Sequence, residues 1–224
     1  MKVMQKHLEG HVVVAGYGTS GSEAVCELIR RGADPETIVV IDENPIALRS
    51  AQECGAIVME GNATRNAALE GVKIERARAL IVSAGRDDTS ILIVLTARRL
   101  APRIPISVVI RSEDNEAIAH QAGADTVINP ASFAGLLLAG STHGTHLAEY
   151  MTDLAATGGG VALRERLVTD DEVGRPLAKI TTGLGHRIHR GEHVFGFWEP
   201  EAARLEAGDS IIEVVARAAT SKTR

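Results

Sequence analysis

The sequence predicts an α/β fold: a Rossmann-like, doubly wound parallel sheet, followed by a helical crossover and a small α+β C-terminal lobe. First, short apolar runs alternate with amphipathic helical patterns over the first 130 residues, which is typical of helices covering both faces of a parallel sheet. Second, the motif Gly16-Tyr-Gly-Thr-Ser-Gly21 separates the first apolar run from the first helical pattern. Third, 45% of residues are hydrophobic but only 3% are aromatic. The core must therefore be aliphatic, as in buried parallel strands.

The elements of the first half follow from hydrophobic periodicity. Strands are predicted at 11–15, 37–41, 56–59, 78–83, 106–111 and 125–129. Helices are predicted at about 19–31, 44–54, 64–71, 87–101 and 113–121. Because parallel strands are joined by right-handed crossovers, this order predicts one sheet covered by helices on both faces.

The pattern changes after residue 130. Two helices are predicted at 132–139 and 146–156, and the first is apolar on nearly every side. A helix of that kind favours a contact with another subunit. The last part of the chain reads as a small lobe with a turn and short helix at 173–180 and strands at 161–168, 186–190, 193–198 and 210–215.

The glycine motif predicts a nucleotide site. Gly16 permits the tight turn, Gly18 lets the backbone approach a pyrophosphate, and Gly21 lets the helix pack closely on the strand. Phosphates are expected on the free N–H groups at the start of that helix. The second apolar run ends in Asp42, whose carboxylate accepts hydrogen bonds from ribose hydroxyls and repels a 2′-phosphate, so NADP is disfavoured.

The candidate cofactor-binding residues lie in this motif and at the ends of the neighbouring strands. They are Gly16, Tyr17, Gly18, Thr19, Ser20, Gly21, Asp42, Glu43, Asn62, Ala63, Ala84 and Gly85. The expected organisation is a connector at 1–10, a nucleotide-binding lobe at 11–130, crossover helices and a glycine linker at 131–160, a C-terminal lobe at 161–217 and a tail at 218–224.

Composition excludes several classes of partner. The net charge of -5 and a pI near 5.9 provide no basic surface for nucleic acid. No apolar run reaches the about 20 residues that a membrane span requires. The two cysteines, Cys26 and Cys54, are expected to be reduced thiols.

The remaining histidine, acidic, arginine and aromatic side chains of interest are assigned structural roles rather than roles in binding or catalysis. His143 with His146, and the group of His186, His189 and His193, are interpreted as surface histidines, so no metal site is predicted. Asp87 and Asp88 are interpreted as the N-cap and first-turn acid of a helix. Arg164 and Arg166 are interpreted as a solvated face. The aromatic residues Phe195, Phe197 and Trp198 are interpreted as lobe core or a subunit contact.

Four motifs together resemble the regulator-of-potassium-conductance (RCK) family, the cytosolic domains of ligand-gated potassium channels and the accessory subunits of Trk/Ktr-type transporters. The first is the glycine motif with Val39-Val-Ile-Asp42. The second is Gly61-Asn-Ala-Thr64, where the family typically has Gly-Asp-Ala-Thr. The more specific matches are Ala122-Gly-Ala-Asp-Thr-Val-Ile-Asn-Pro130 and, in the C-terminal lobe, Val173-Gly-Arg-Pro-Leu-Ala178 with Arg204-Leu-Glu-Ala-Gly-Asp-Ser-Ile-Ile212.

The resemblance implies a gating ring. It implies homodimers through residues 132–156, a ring of eight N-terminal lobes, and a membrane-embedded potassium pore as partner, with residues 1–10 as the connector from that pore. The location implied is the cytoplasm, at the inner face of the cell membrane. Ligand binding in such a ring shifts its conformation and thereby regulates potassium flux.

The resemblance also implies a ligand. NAD(H), ADP or AMP is expected; ATP is less favoured because members that prefer a triphosphate often carry Arg at the position of Thr19. Asn62 lines the adenine side of the cleft and Ala84-Gly85 the opposite wall. A calcium-type site is not expected, because the matching positions here are Ser83, Val109 and Arg111. A divalent cation elsewhere stays open.

Two alternatives remain open from the sequence. An accessory subunit of a Trk/Ktr-type transporter would share these motifs but would lack the pore connector. An NAD-dependent oxidoreductase would share the nucleotide fold. It needs a catalytic acid or base beside the nicotinamide, and the C-terminal lobe contains no recognisable arrangement of that kind. No catalytic residue is therefore predicted, and the chain is expected not to be an enzyme.

Overall fold

The computed structural model describes residues 8–142, 144, 146–155 and 159–217. The chain forms two compact units that divide between Leu137 and Leu138, inside the first predicted crossover helix. Most of the predicted connector, His143, part of the glycine linker and the predicted tail lie outside the described residues. No helix in the described part of the chain is both long and apolar enough to cross a membrane.

The first unit is a six-stranded parallel sheet with the strand order β3-β2-β1-β4-β5-β6. Its strands are β1 (Val12–Ala15), β2 (Ile38–Asp42), β3 (Ile57–Glu60), β4 (Ala79–Val82), β5 (Ile106–Val109) and β6 (Thr126–Ile128). Its helices are α1 (Thr19–Arg30), α2 (Pro45–Glu53), α3 (Asn66–Gly71), α4 (Asp87–Leu100) and α5 (Glu116–Gln121). The predicted doubly wound fold is confirmed. The strand order reverses between β1 and β4, which opens a crevice at their carboxyl ends.

The core of this unit is aliphatic except for Tyr17 and lies on both faces of the sheet. Val13 and Ala15 of β1 belong to one buried cluster, and Val12 and Val14 belong to the other. This alternation follows from the period of two along a strand. Leu8 is also buried in the first cluster, so the end of the predicted connector packs on the core.

The second unit combines helices with an antiparallel sheet of order β7-β10-β8-β9. Helix α6 (Pro130–Ser141) crosses the division between the units, and the remaining elements are α7 (Leu147–Ala155), β7 (Val161–Leu167), β8 (Leu184–Arg190), β9 (His193–Gly196) and β10 (Ser210–Ala216). The small core consists of Leu177, Ile188, Ala202, Leu205 and Ile211. The short helix predicted within 173–180 is a 3-10 turn at Leu177–Lys179, which ends at Ile180 because that residue has an extended backbone (φ -63°, ψ 146°).

The aromatic residues of this unit divide between core and surface. Phe195 packs against the core, whereas Phe197 and Trp198 are exposed and meet edge to face with ring centroids 5.1 Å apart. A core role for Phe197 and Trp198 is therefore wrong, and a subunit contact stays a prediction. His189 is partly exposed, and within the described part of the chain its buried Nε2 has no hydrogen-bond partner.

The interpretation of Arg164 and Arg166 as a solvated face is wrong for Arg166, whereas Arg164 is exposed. The register of β7 against β10 places Arg164 directly opposite Glu213, whose side chain is completely buried. Glu213 accepts hydrogen bonds from Arg164 Nη2 at 2.6 Å, Arg166 Nε at 2.8 Å and the Thr182 hydroxyl at 2.6 Å. Arg166 also forms a bidentate pair with the buried Glu172, with both N···O distances 2.7 Å. An ion network with two buried carboxylates thus replaces the solvated position expected for Arg166.

This network predicts a loss of stability in acid. Hydrogen bonds from Arg166 lower the pKa of Glu172 to about 2, below its ordinary value of 4.5. Because the folded state holds the carboxylate form, the stabilisation is present above the unfolded pKa and is lost as the pH falls through the folded pKa. We expect urea unfolding, followed by the fluorescence of Trp198, to require less urea as the pH falls from neutral towards about 3. Glu172→Gln flattens this pH dependence, whereas an identical slope in both proteins contradicts the assignment.

Candidate functional site

The first unit contains a cleft of about 420 Å³ at the carboxyl ends of its strands, where the strand order reverses between β1 and β4. Open α/β sheets bind ligands at this position. Ten of the twelve predicted site residues line the cleft: Gly16, Gly18, Thr19, Ser20, Asp42, Glu43, Asn62, Ala63, Ala84 and Gly85. The other lining residues are Ile41, Gly61, Ser83, Arg86, Thr89, Ile93 and Arg111.

Two glycines shape the loop before α1. Gly16 has a φ of +95°, which L side chains rarely adopt, and a Cβ there would clash with the Ser83 carbonyl oxygen. A Cβ at Gly21 would clash with the Gly16 carbonyl oxygen. The loop therefore packs against Ser83, which follows β4, and against the first turn of α1. It can do so only because Gly16 and Gly21 have no side chain.

Gly18 differs from these two. It is the N-cap of α1 with an extended backbone (φ -80°, ψ -162°), which any residue adopts. A Cβ there would meet no atom of residues 8–142, 144, 146–155 or 159–217 within 4 Å. The space in front of Gly18 is open cleft, and this is the space that the sequence analysis assigned to phosphates.

The N-terminus of α1 adjoins this space and is free of competing groups. No side chain among the described residues caps the helix, and its first turn contains no acidic residue. Thr19 and Ser20, the first two helical residues, both line the cleft. Unpaired N–H groups and the positive end of the helix dipole favour an anion at such a position.

Asp42 is the last residue of β2 and borders the cleft. Its Oδ2 accepts a hydrogen bond from the Tyr17 backbone N–H at 2.6 Å, and its Oδ1 accepts one from the Asn44 N–H at 2.8 Å. Two backbone donors therefore hold the carboxylate against the glycine loop. Since each carboxylate oxygen has a second lone pair, both can still accept a hydrogen bond from a ligand hydroxyl.

Tyr17 and Gly21 are the two predicted site residues that do not line the cleft. The Tyr17 side chain is buried in the core on the opposite side of the loop, and its hydroxyl donates to Cys54 Sγ at 3.8 Å. Tyr17 reaches the site through its backbone N–H alone, and Gly21 acts through its lack of a side chain. The sequence motif placed both residues in the loop without giving the direction of the Tyr17 ring.

The β3 side of the cleft is the less polar wall. Ile41 in β2 and Ala63 after β3 line this side, and both side chains are aliphatic and largely buried. The Asn62 side-chain oxygen accepts hydrogen bonds from the Thr64 N–H at 2.9 Å and from the Thr64 hydroxyl. Asn62 therefore fixes the turn after β3, and its amide group stands at the cleft as a neutral donor. This wall suits the flat, apolar face of a base.

The opposite wall contains cations that the sequence analysis did not place in the site. Arg111 Nη1 donates to the Ala84 carbonyl oxygen at 2.8 Å. Arg86 forms a bidentate pair with Asp88, with N···O distances of 3.0 and 2.7 Å. Both residues follow the ends of parallel strands, which meet at one edge of the sheet. For Arg111 this position could be predicted from the sequence, because Arg111 is the last residue of the fifth predicted strand.

Asp87 does not act as the predicted N-cap, because Arg86 holds that position. Its carboxylate instead accepts hydrogen bonds from the Arg111 and Ser112 backbone N–H groups, at 3.0 and 2.9 Å, and from the Asn115 side chain. Burial alone raises the pKa of Asp87, but the bonds from Asn115, Ser112 and Arg111 hold it below its ordinary value. Asp87 thus holds the N-terminus of α4 against the loop that follows β5 and contains Arg111.

Metal ligation finds little support at this edge. Among the described residues, no group of three or more His, Cys, Asp or Glu side chains is arranged to hold a metal ion. Of the positions matching the calcium-type site, Ser83 and Arg111 border the cleft, and Val109 is buried. The ligand that fits the donors present is an anion with hydroxyl groups.

Comparisons with known proteins identify the family and the fold of the chain. The family model described as the TrkA-N domain matches residues 12–130, which include the whole sheet and the cleft. Potassium channel protein 1 of Methanocaldococcus jannaschii is 28% identical over 176 residues, covering 78% of this chain and 52% of that protein. This chain therefore spans about half the length of that relative.

Solved structures with the same fold span both units. The structure described as the GsuK channel bound to NAD matches with a TM-score of 0.53 at 22% identity, covering 93% of this chain and 36% of that one. The human SLO3 gating ring matches with a TM-score of 0.70 at 16% identity, covering 92% and 44%. At these identities the likeness establishes the fold.

Proposed function

The chain belongs to the TrkA-N domain family, and we propose that it is a ligand-sensing gating-ring domain that regulates potassium flux through a channel. In this proposal an adenine nucleotide or NAD(H) binds the cleft of the first unit and shifts the conformation of the ring. The observation that carries it is the open space at Gly18 in front of the uncapped N-terminus of α1. The relatives named for potassium channels and a neighbour described as bound to NAD support it.

The proposed ligand pose follows from the donors and acceptors at the cleft. The phosphates lie at the N–H groups of Thr19 and Ser20, the ribose hydroxyls donate to Asp42, and the base packs on the wall formed by Ile41 and Ala63. The remaining candidates (Glu43, Asn62, Ala84 and Gly85) complete the walls. NAD(H), ADP and AMP suit this pose, and ATP is the less favoured adenine nucleotide.

A binding site without chemistry regulates by differential affinity. The nucleotide must bind one conformation of the ring better than the other. A preference of about 100-fold supplies about 2.7 kcal/mol per site, and several coupled sites give a steep response. The proposal therefore requires an assembly of several copies.

We expect Asp42 to select against a 2′-phosphate. In isothermal titration calorimetry, NADH should bind the wild-type chain at least about tenfold more tightly than NADPH, because the carboxylate repels the phosphate. Asp42→Ala weakens NADH binding and removes this preference. Glu53→Ala, which removes an exposed acid outside the cleft, is the matched control and leaves both affinities unchanged. Wild-type affinity for NADH in Asp42→Ala rejects the ribose role.

The proposed assembly is a homodimer through residues 132–156, arranged in a ring of eight lobes beneath a membrane-embedded potassium pore. Helix α6 has no buried residue, and Phe133, Leu136 and Leu138 are 52, 72 and 71% exposed. Apolar side chains concentrated on one exposed helix favour a protein contact. In this proposal residues 1–10 connect to the pore at the inner face of the cell membrane, and residues 161–217 form a second regulatory lobe.

Leu136→Glu tests the helical contact. Burying a carboxylate in an apolar interface is strongly unfavourable, so sedimentation velocity should show the dimer of the wild-type chain dissociating to a monomer. Ile46→Glu is the matched control, because Ile46 is 74% exposed in α2 and lies outside the proposed contact. Equal dissociation in both variants, or in neither, contradicts the assignment of the contact to α6.

Two experiments separate the proposed function from its alternatives. The gene sequence preceding Met1 distinguishes a channel, which has a pore helix and a Thr-Val-Gly-Tyr-Gly-like filter, from an accessory subunit of a Trk/Ktr-type transporter. Incubation with NADH and candidate substrates tests an oxidoreductase. We expect the NADH absorbance to stay constant, and its substrate-dependent loss would favour the enzyme.

A further inference from the structure

The guanidinium of Arg111 is anchored beside the glycine loop. Arg111 follows β5 and borders the cleft, and its Nη1 donates a hydrogen bond to the Ala84 carbonyl oxygen at 2.8 Å. Ser83 immediately precedes Ala84, and its carbonyl oxygen lies where a Cβ on Gly16 would clash. Because consecutive Cα atoms are about 3.8 Å apart, the guanidinium is bound one residue away from the contact between β4's end and the glycine loop.

The backbone of Arg111 is fixed as well. Its N–H donates to Asp87 Oδ1 at 3.0 Å, while Asp87 Oδ2 accepts bonds from the Ser112 N–H at 2.9 Å and the Asn115 side chain at 3.0 Å. Asp87 is therefore engaged by groups other than the guanidinium. Arg111 is held by Asp87 at its backbone and by Ala84 at its side chain, so a ligand that binds this side chain costs it little conformational entropy.

The guanidinium keeps donors for a ligand. Arginine has five N–H donors, and the bond to Ala84 uses one of them. Within the part of the chain that the structure describes, Arg111 forms an ion pair with no carboxylate. Arg86, the other arginine of this wall, differs, because Asp88 binds it through two bonds of 3.0 and 2.7 Å. Arg111 thus presents a cation without an ion-pair partner to the cleft.

The cleft is open between this cation and the start of α1. Gly18, Gly85 and Arg111 all line the same cleft of about 420 Å³. A Cβ at Gly18 or at Gly85 would meet no atom of the described residues within 4 Å. A phosphate at the N-terminus of α1 therefore has room for a second phosphate on the side of Arg111. Guanidinium groups bind phosphate oxygens through charge-assisted, paired N–H donors.

We infer that Arg111 is a specificity-determining residue of the cleft, which selects nucleotides that contain a diphosphate over nucleoside monophosphates. This inference rests on the proposed function, in which the first phosphate lies at the N–H groups of Thr19 and Ser20. The second phosphate then accepts hydrogen bonds from the free N–H groups of Arg111. ADP and NADH contain two linked phosphates and make both contacts, whereas AMP makes only the first.

Isothermal titration calorimetry of AMP, ADP and NADH tests this role. The wild-type chain should bind ADP and NADH at least about tenfold more tightly than AMP, as expected for hydrogen bonds to a charged group. Arg111→Met has a side chain of similar shape without charge and keeps the backbone bond to Asp87. It should weaken ADP and NADH binding by about tenfold and change AMP binding by less than about twofold. Arg111→Lys keeps the charge without the paired donors, so it should restore only part of the preference.

Arg103→Met is the matched control, because Arg103 is an exposed arginine outside the cleft. It removes the same net charge and should leave all three affinities unchanged. AMP reports damage to the loop: if Arg111→Met weakens AMP and ADP equally, Arg111 is a structural residue and the inference is overturned.

The wild-type chain separates this inference from the proposed function. Binding of AMP as tight as that of ADP, or an ADP-to-AMP preference that survives in Arg111→Met, overturns the role of Arg111 and leaves nucleotide binding intact. A wild-type chain that binds none of the three nucleotides overturns the proposed function, and the selection by Arg111 with it.

Discussion

Gly18→Val is expected to lower the affinity for NADH and ADP by at least about a hundredfold, equivalent to about 2.7 kcal/mol, while the chain stays folded. The valine side chain would fill the open space in front of the α1 N-terminus and exclude a phosphate from the unpaired N–H groups. Because Gly18 has an extended backbone, the new side chain causes no backbone strain. Loss of a glycine N-cap costs about 1 kcal/mol at most. Isothermal titration calorimetry measures the affinity, and thermal unfolding measures the fold.

Gly16→Ala provides the contrast. Gly16 has a positive φ, and its Cβ would clash with the Ser83 carbonyl oxygen, so this variant should lower the melting temperature as well as the affinity. Together, the two variants distinguish a loss of affinity caused by a blocked phosphate position from a loss caused by a destabilised loop. Tight nucleotide binding by Gly18→Val would show that phosphates do not occupy this part of the cleft.

The second large effect is expected at Arg166 in the C-terminal lobe. Arg166→Ala leaves Glu213 with one arginine partner and Glu172 with none, although both carboxylates are buried. Removing one partner from a buried ion pair costs about 3–5 kcal/mol, because the remaining charge is left uncompensated. The chain has one tryptophan, Trp198, and it lies in this lobe. Urea unfolding followed by its fluorescence therefore reports this loss for the lobe itself.

Arg164→Ala is the matched control for this variant. The Arg164 side chain is 45% exposed, and without it Glu213 still accepts hydrogen bonds from Arg166 and Thr182. The cost should be about 1 kcal/mol or less, as for a solvent-exposed ion pair. Equal losses in the two variants would contradict the central position of Arg166 in the network.

The sequence was informative where function depends on local geometry. The positions of Gly16, Gly18 and Gly21 specify a turn, an open approach and a close helix contact, and these are properties of neighbouring residues. Asp42 was found because the end of a strand is visible in the hydrophobic pattern. Parallel strands also place their carboxyl ends at one edge, so Asn62 and Ala84 were assigned to the same cleft.

The sequence was less informative where partners are distant along the chain. Arg164 and Glu213 are 49 residues apart, and only the register of β7 against β10 makes them neighbours. Asp87 bonds to the loop that begins at Arg111, and no periodicity specifies that pairing. The direction of the Tyr17 ring was hidden for the same reason, since the motif fixes its backbone, whereas its side chain belongs to a buried cluster with Val25 and Leu48.

An adenine nucleotide is proposed to bind at the crevice between β1 and β4, and a crystal structure of the chain grown with NADH tests this most directly. We predict phosphate oxygens within hydrogen-bonding distance of the Thr19 and Ser20 N–H groups, and ribose hydroxyls on Asp42. An empty crevice at saturating NADH, or a nucleotide bound elsewhere on the chain, would contradict it.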